Sequence, residues 1–435
     1  MLPEALPYHL KVRDFFRRQT STWEFFTAAA TRDEQLIAFK TELLKNTYRF
    51  SQDSEPALFG KIDRVREQLG LGALPVMAYQ AQYAHPGNEL NASVIYLHQE
   101  AHLVFSGPIL ERLTEEELLA AIAHELSHVR LYTLLNGDLE VADRIITSIA
   151  NHRDSEADYR GKGPSAGTSL APYVETARLF KLYTEIYCDR GAYAVLGDPA
   201  PVITMLLKLA TGLVTVNADS YSRQAEAIFS AEPGTTSATP THQENFIRTR
   251  ALRLWNEQGE AATAAITRMI EGLPDLDRLD LFSRQELSDL TREFLQEYLR
   301  PGWIRSTLVT ALERQYFPDE SPFEGTGDIR SASAVFEQDR NTDAHVVRQS
   351  SQLQEAIAGL HPDIRTYLGY VLLDFALADP SLEDMPAGRA FEFAAEMQLS
   401  DVYDAICKKE LQLNDKKWLQ HKQKVQKAYA ELPKD

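Results

Sequence analysis

Residues 114–135, TEEELLAAIAHELSHVRLYTLL, decide how the rest of this sequence can be interpreted. Thr114 and Glu117 have the spacing of a capping box, in which each side chain bonds to the backbone amide of the other residue. Asn136 and Gly137 follow the stretch and are residue types that end a helix. The pattern therefore predicts one long and largely apolar helix.

This helix contains His124-Glu125-Leu126-Ser127-His128, the pattern HExxH. His124 and His128 are four positions apart, so both imidazoles project from one helix face and can bind one tetrahedral zinc ion. Glu125 is rotated from His124 by about 100°, which places it beside the metal, where it can accept a proton from the attacking water. Three fixed positions also occur together by chance, so the interpretation needs a third ligand.

Two segments compete to supply that third ligand. Glu185 lies on a strongly periodic predicted helix, and Asp189 is one turn later on the same face, where it could accept the free N–H of a ligating histidine. Glu156 and Asp158 are alternatives within residues 153–170, a polar stretch rich in Gly and Ser that predicts a loop. A helix fixes a ligand better than a loop does, which favours Glu185.

Two apolar runs rich in β-forming residues, NASVIYLHQE and AHLVFSGPIL, precede the HExxH helix within residues 91–113. They predict a β-hairpin. A strand beside the metal could hold an extended peptide by adding it as a further strand, and an ordinary core hairpin is an equally good interpretation. His98 and His102 flank the turn, and we expect them on the surface rather than on the metal.

These segments together resemble the zinc peptidases of the HtpX and CAAX prenyl protease type, metallopeptidase family 48, a gluzincin group with HExxH followed by ExxxD. The resemblance rests on HELSH, on the hairpin that opens with Asn91-Ala92, and on TEIYCDRGAYAVLGDP at residues 184–199. Thr241-His242 followed by Arg248 is similar to a further family segment, with a glutamine where the family has proline.

The resemblance implies one zinc ion per chain, bound by two histidines and a glutamate: His124, His128 and Glu185. Glu125 would then be the general base, and Asp189 would lie behind the ligands. By the same resemblance, His242 would help to stabilise the oxyanion and Arg248 would organise the site.

The composition favours a globular protein whose partners are not nucleic acids. The chain has 435 residues, 44% of them hydrophobic, and a formal net charge of −18, which disfavours nucleic acid and anionic membrane surfaces. Its two cysteines give no disulfide framework, and the N-terminus has no apolar signal core. No apolar run approaches the roughly 18 residues of a transmembrane helix. We expect a cytoplasmic protein without a membrane partner.

Three regions are expected: a zinc metallopeptidase domain at residues 1–316 with a core at about 70–255, a linker at 317–347, and a helical domain at 348–435. The helical domain resembles a TerB-like domain in its helix pattern and in Asp374 and Asp379. Those acids could bind a cation, although such residues are more often helix caps or solvated. We expect this domain to bind a protein partner or to make an autoinhibitory contact.

The sequence therefore predicts a mainly α-helical fold with a small β-sheet (α+β) and a zinc-dependent endopeptidase that acts on protein or peptide substrates. The rival hypothesis is a latent or catalytically silent zinc-containing scaffold that acts through its C-terminal helices. A fourth protein ligand, for instance Glu156 or His152, would favour the scaffold, because structural zinc sites are closed by four protein ligands. A metal-dependent hydrolase of non-peptide substrates is a third hypothesis.

Overall fold

The structure is a computed structural model that describes residues 2–28, 33–82, 90–97, 99–159, 170–239, 244–317 and 350–431. The chain forms two compact units: residues 1–163 with 173–272, and residues 164–172 with 273–435. Helices predominate in both, and the described part of the first unit contains a four-stranded sheet. The predicted mainly α class with a small β-sheet is confirmed. None of the described helices is both long and apolar enough to span a membrane.

The helices up to residue 272 are α1 (Pro7–Arg18), α2 (Thr20–Ala28), α3 (Asp33–Asn46), α4 (Pro56–Gln68), α5 (Ile109–Arg112), α6 (Glu115–Thr133), α7 (Asp138–Tyr159), α8 (Ala171–Leu196), α9 (Pro199–Thr211), α10 (Ala218–Ala231), α11 (Asn245–Gln258) and α12 (Thr263–Glu271). The strands are β1 (Thr47–Arg49), β2 (Val76–Ala81), β3 (Asn91–Leu97) and β4 (Glu100–Ser106).

The sheet has the strand order β1-β2-β4-β3, so β3 stands at one edge. β3 and β4 form the predicted antiparallel hairpin, with Val94 opposite Leu103, and β4 also pairs in parallel with β2. Leu103 and Phe105 of β4 are fully buried in the core, whereas most of β3 is half-buried. The sheet therefore presents the edge of a half-buried strand beside helix α6.

The expectation that His102 lies on the surface is wrong. Only 1% of its surface is exposed, and its Nδ1 lies 3.1 Å from the Tyr79 hydroxyl on β2. His102 and Leu103 are adjacent in β4, so their side chains point to opposite faces of the sheet, and only Leu103 points into the core. The aromatic rings of Phe39 and Tyr79 pack against the imidazole and cover it. His98 lies outside the described residues.

Helix α6 begins with the predicted capping box. The Thr114 hydroxyl accepts a hydrogen bond from the Glu117 amide at 3.3 Å, and a Glu117 carboxylate oxygen accepts one from the Thr114 amide at 2.8 Å. Glu117 also accepts a hydrogen bond from Lys208 of α9 at 2.6 Å. The α-helix ends at Thr133 and continues as a 3-10 turn over Leu134–Gly137. A buried ion pair thus attaches the first turn of α6 to α9.

Helices α6 and α8 approach each other closely where Gly191 lies against Ser127. A Cβ atom at Gly191 would lie 2.0 Å from the Ser127 Oγ and 2.7 Å from its Cβ. The Ser127 hydroxyl donates to the Ala123 carbonyl at 2.6 Å and so stays folded against its own helix. Ser127 directly precedes His128, and Gly191 follows Asp189 by two residues. The contact between Ser127 and Gly191 therefore sets the distance between the histidines of α6 and the acids of α8.

The prediction of a loop at residues 153–170 is wrong for its first part, because the backbone of α7 stays helical to Tyr159. The segment RDSEADYR contains no glycine or proline, so nothing in it ends the helix before Gly161. The backbone of residues 160–169 and the side chains of His152, Glu156 and Asp158 lie outside what the structure describes.

The second unit contains α13 (Leu281–Tyr298), α14 (Thr307–Tyr316), α15 (Ser350–Ala358), α16 (Pro362–Ala376), α17 (Met385–Glu396), α18 (Ser400–Glu410) and α19 (Asp415–Ala430). Phe294 of α13 packs on Phe393 of α17 with ring centroids 4.9 Å apart, within one buried cluster that also holds Val309 of α14. The division therefore falls after residue 272 and not at residue 316 as predicted, because the apolar faces of α13 and α14 pack on the later helices.

Residues 317–347, the predicted linker, lie outside the described residues except for Phe317. The two acids of the TerB-like resemblance have local partners. Asp374 accepts a hydrogen bond from the Tyr316 hydroxyl at 2.6 Å, and Asp379 accepts one from the Ser381 amide at 2.9 Å as the N-cap of a 3-10 turn. The capping interpretation of Asp379 thus has a direct structural basis.

We predict that Gly191→Ala lowers the free energy of unfolding by about 1–3 kcal/mol, because its methyl group forces α8 away from α6. Gly60→Ala is the matched control: Gly60 lies in α4 with no atom within 4 Å of an added Cβ, so helix propensity should make this change neutral or stabilising. Urea unfolding of the two variants measures the difference. Adding Ser127→Gly to Gly191→Ala should restore part of the lost free energy of unfolding. Equal stability of Gly191→Ala and Gly60→Ala would contradict the close contact between α6 and α8.

Candidate metal centre

His124 and His128 project from one face of α6 into a cavity of about 510 Å³. Their ring centroids lie 5.2 Å apart, and the ring planes meet at 79°. This is the arrangement expected for two imidazoles one helical turn apart. The other side chains on this part of α6, such as Ile122 and Leu126, are fully buried in the core.

Glu185 of α8 faces both imidazoles. Its Oε2 lies 3.4 Å from His124 Nε2, and its Oε1 lies 3.8 Å from His128 Nε2. Two tetrahedral ligands with metal–ligand bonds of about 2.0–2.1 Å lie about 3.4 Å apart. The two contacts, made by different carboxylate oxygens, are close to this separation, and the role of Glu185 as the third ligand stays a prediction.

Asp189 and Arg248 are buried next to these donors. Asp189 Oδ1 lies 3.0 Å from His124 Nδ1, so the imidazole can donate there and keep the lone pair of its Nε2 for the cavity side. Arg248 of α11 holds the same carboxylate with two hydrogen bonds of 2.6 and 2.7 Å. Burial would raise the pKa of Asp189, but the charge and hydrogen bonds of Arg248 outweigh it and lower the pKa.

Arg248 also contacts the carboxylate of Glu185, with Nη1 3.3 Å from Oε2. One guanidinium thus holds Glu185 and Asp189, two acids of α8 that are one helical turn apart. Its nitrogens contact Asp189 and Glu185, and the side chain also lines the cavity, so Arg248 can orient both acids at the cavity wall.

Glu125 lines the cavity between the imidazoles and the edge strand β3, and it accepts a hydrogen bond from the backbone amide of Val94. Burial raises the pKa of Glu125 to about 7. Nearby positive charge opposes this rise, so a bound cation would move the pKa downwards. The side chain is held next to the position where a peptide on β3 would lie.

The sequence analysis missed Cys188 as a neighbour of this site. Its Sγ forms a group with one ring nitrogen each of His124 and His128, and these three atoms lie within 4.8 Å of one another. A thiolate is a good zinc ligand, so Cys188 competes with Glu185 on chemistry alone. Cys188 lies about one helical turn after Glu185 in the sequence, and this spacing could have identified it as a neighbour of the site.

Geometry favours Glu185 over Cys188 as the third ligand. Each carboxylate oxygen of Glu185 faces a different imidazole, and the side chain lines the cavity. Cys188 is fully buried and is not among the residues that line the cavity. A metal that acts on a substrate must face the open side, which is the side of Glu185.

Tyr132 of α6 also lines the cavity and was not identified from the sequence. Its hydroxyl donates to the buried carboxylate of Asp143 at 2.8 Å, which fixes the orientation of the ring.

His242, predicted to stabilise the oxyanion, lies outside the described residues, so that role stays a prediction. Asn245, at the start of α11, lines the cavity three positions later in the chain.

Apolar side chains form a large part of the cavity lining. They come from β3 and the segment before it and from α9: Leu90, Ala92, Val94, Met205, Leu206 and Leu209. The polar part of the lining includes the two imidazoles, Glu125 and Glu185. This arrangement suits a ligand that combines a polar reacting group with an apolar side chain.

Comparison with known proteins gives one family and one informative relative. Residues 55–255 match the family model described as Peptidase family M48. The plastoglobule-localized metallopeptidase 48, chloroplastic, of Arabidopsis thaliana is 31% identical over 130 residues, which is 29% of this chain and 34% of the relative. The chain thus spans about a third of the length of this curated relative. No solved structure gave a significant match.

We predict that Glu185→Ala weakens zinc binding by more than about tenfold, because loss of a direct ligand should cost at least as much as loss of an outer partner. Cys188→Ala should leave the affinity unchanged. Zinc titration against a competing chelator measures both. Cobalt in place of zinc gives a second measurement: a sulfur-to-cobalt charge-transfer band in the wild type, lost in Cys188→Ala, would contradict the choice of Glu185 as the third ligand.

Proposed function

We propose that the protein is a zinc-dependent endopeptidase of Peptidase family M48, whose model matches residues 55–255. The observation that carries the proposal is the convergence of Glu185 on the Nε2 atoms of His124 and His128 at the wall of an open cavity. Glu125 beside this group supports hydrolysis, because a purely structural zinc site has no need of a carboxylate at that position.

The substrate would lie along β3. This strand is at the edge of the sheet and lines the cavity over much of its length. An extended peptide can bind such an edge by adding main-chain hydrogen bonds, which require no particular sequence. The apolar groups of Met205, Leu206 and Leu209 would then select an apolar side chain next to the bond that is cleaved.

Zinc held by His124, His128 and Glu185 would supply a Lewis acid that polarises the peptide carbonyl and activates a water molecule. Glu125 would accept a proton from the attacking water and deliver it to the leaving nitrogen. The hydrogen bond from the Val94 amide keeps the Glu125 carboxylate beside the bound strand during both transfers.

Asp189 and Arg248 would act through the ligands rather than on the substrate. Asp189 accepts the Nδ1–H of His124 and so fixes the tautomer that presents Nε2 to the cavity. Arg248 neutralises part of the charge of the two carboxylates and holds them in position. His242 would complete the site by stabilising the oxyanion, a role carried over from the family resemblance.

One observation favours the alternative function, a zinc-containing scaffold that does not cleave. The Cys188 Sγ lies in the same group as the two imidazole nitrogens. If the metal were held by both histidines, Glu185 and Cys188, four protein ligands would close the site. The absence of a sulfur-to-cobalt band would exclude this arrangement.

The Arabidopsis thaliana relative is named for plastoglobules, and the predicted cytoplasmic location of this chain stays a prediction. The predicted partner or autoinhibitory contact of residues 348–435 also stays a prediction. Zinc as the metal and protein or peptide as the substrate are proposals.

We predict that Glu125→Gln keeps zinc but lowers cleavage by about 10²–10⁴-fold, because glutamine cannot accept the proton from water. Casein and a quenched peptide library provide the substrates, and elemental analysis gives the zinc content. Glu116→Gln on the exposed face of α6 is the matched control and should cleave at the wild-type rate. Cleavage by Glu125→Gln at the wild-type rate would rule out the general base; zinc without any wild-type cleavage would favour the scaffold.

A further inference from the structure

The wall that α9 gives to the cavity beside the metal centre runs from the core to the protein surface. Met205 and Leu206 line the cavity and are buried. One helical turn later, Leu209 is half-buried and Ala210 is exposed, and both still line the cavity. Exposure therefore rises along α9 towards its C-terminus, so the end of this helix forms part of the rim of the cavity.

Two large apolar side chains follow directly beyond this part of the rim. Leu213 is 55% exposed and Val214 is 57% exposed. Among the large hydrophobic residues that are exposed in the described ranges of the chain, they are the only two that are neighbours in sequence. Single exposed apolar residues are ordinary, whereas contiguous apolar surface often marks an interaction site. This pair lies three and four residues beyond Ala210, and so next to the cavity.

The backbone holds the exposed pair in place from both sides. Gly212 ends α9 in the left-handed conformation, with a φ of 70°. The Leu213 amide donates a hydrogen bond to the Thr211 hydroxyl at 3.3 Å. After the pair, Val216 packs against the buried core cluster and Asn217 is the N-cap of α10. A short loop fixed at both ends loses little conformational entropy when a ligand binds to it.

The spacing of these residues suits an extended peptide. Leu209 and Leu213 are four residues apart, which corresponds to about one helical turn of roughly 5.4 Å. In an extended chain, side chains on the same face recur every second residue, about 6.6 Å apart. A peptide with one side chain against Leu209 inside the cavity can therefore place the next side chain of the same face against Leu213.

We propose that Leu213 and Val214 form a second apolar subsite for the substrate at the rim of the cavity. This inference rests on the proposed peptidase function and names its substrate class: extended segments with an apolar residue beside the cleaved bond and another two positions further along. Main-chain pairing with β3 requires no particular sequence, so the two apolar contacts supply the selectivity.

The test compares quenched fluorogenic peptides of equal length on the zinc-loaded full chain. All carry leucine beside the cleaved bond, and the position two residues further from the bond is leucine or serine, varied on each side of the bond in turn. On one side we expect kcat/KM to be about three- to tenfold higher for the leucine peptide, through a lower KM, because the rim removes part of an apolar side chain from water.

Substitutions at the rim should remove this preference. Leu213→Ser and Val214→Thr should each lower the ratio of the two kcat/KM values, and the double variant should bring it close to one. The kcat/KM for the serine peptide should stay at the wild-type value. Val214→Thr keeps the shape of its side chain, so it remains informative if Leu213→Ser folds poorly. Leu44→Ser is the matched control, because Leu44 of α3 is 51% exposed and does not line the cavity.

A binding measurement separates the rim from the cleavage chemistry. The Glu125→Gln variant, which is expected to keep zinc, should bind the leucine peptide more tightly than the serine peptide in fluorescence anisotropy, and added Leu213→Ser should abolish the difference. Equal cleavage of both peptides by the wild type, or an unchanged ratio in the double variant, would overturn the rim subsite and leave the peptidase proposal intact. Retained binding preference without any wild-type cleavage would support the rim subsite and overturn the peptidase.

Discussion

The buried ion pair between Asp189 and Arg248 is the interaction on which the candidate site depends. It joins α8 to α11 and, through His124, to α6. Burial disfavours the charged form of His124, yet hydrogen bonds and charges from Asp189 and Glu185 raise its pKa to about 10. The cluster therefore attracts positive charge even after Arg248 has supplied one. A proton on His124 or a divalent cation among the three donors meets the same electrostatic demand.

The geometry that the ion pair requires is set by packing elsewhere. Gly191 allows α8 to approach α6 at Ser127, within a turn of each helix's site residues. The buried contact of Lys208 with Glu117 attaches the start of α6 to α9, which forms the apolar wall of the cavity. The donors thus lie on helices whose positions the core fixes, and little rearrangement would be needed to assemble them around a metal.

The sequence was informative where chemistry depends on short spacing along one element. HExxH and the capping box follow from helix geometry, and Glu185, Asp189 and Arg248 followed from the resemblance to an ordered set of motifs. The Val94 amide could not be predicted, because its proximity to Glu125 arises only from tertiary packing. Tyr132, four positions after His128, and Cys188, three positions after Glu185, had a helical spacing that was overlooked. The division after residue 272 was missed for a similar reason: Pro, Gly and Ser in residues 317–347 suggested a boundary, while the packing of α13 and α14 determined it.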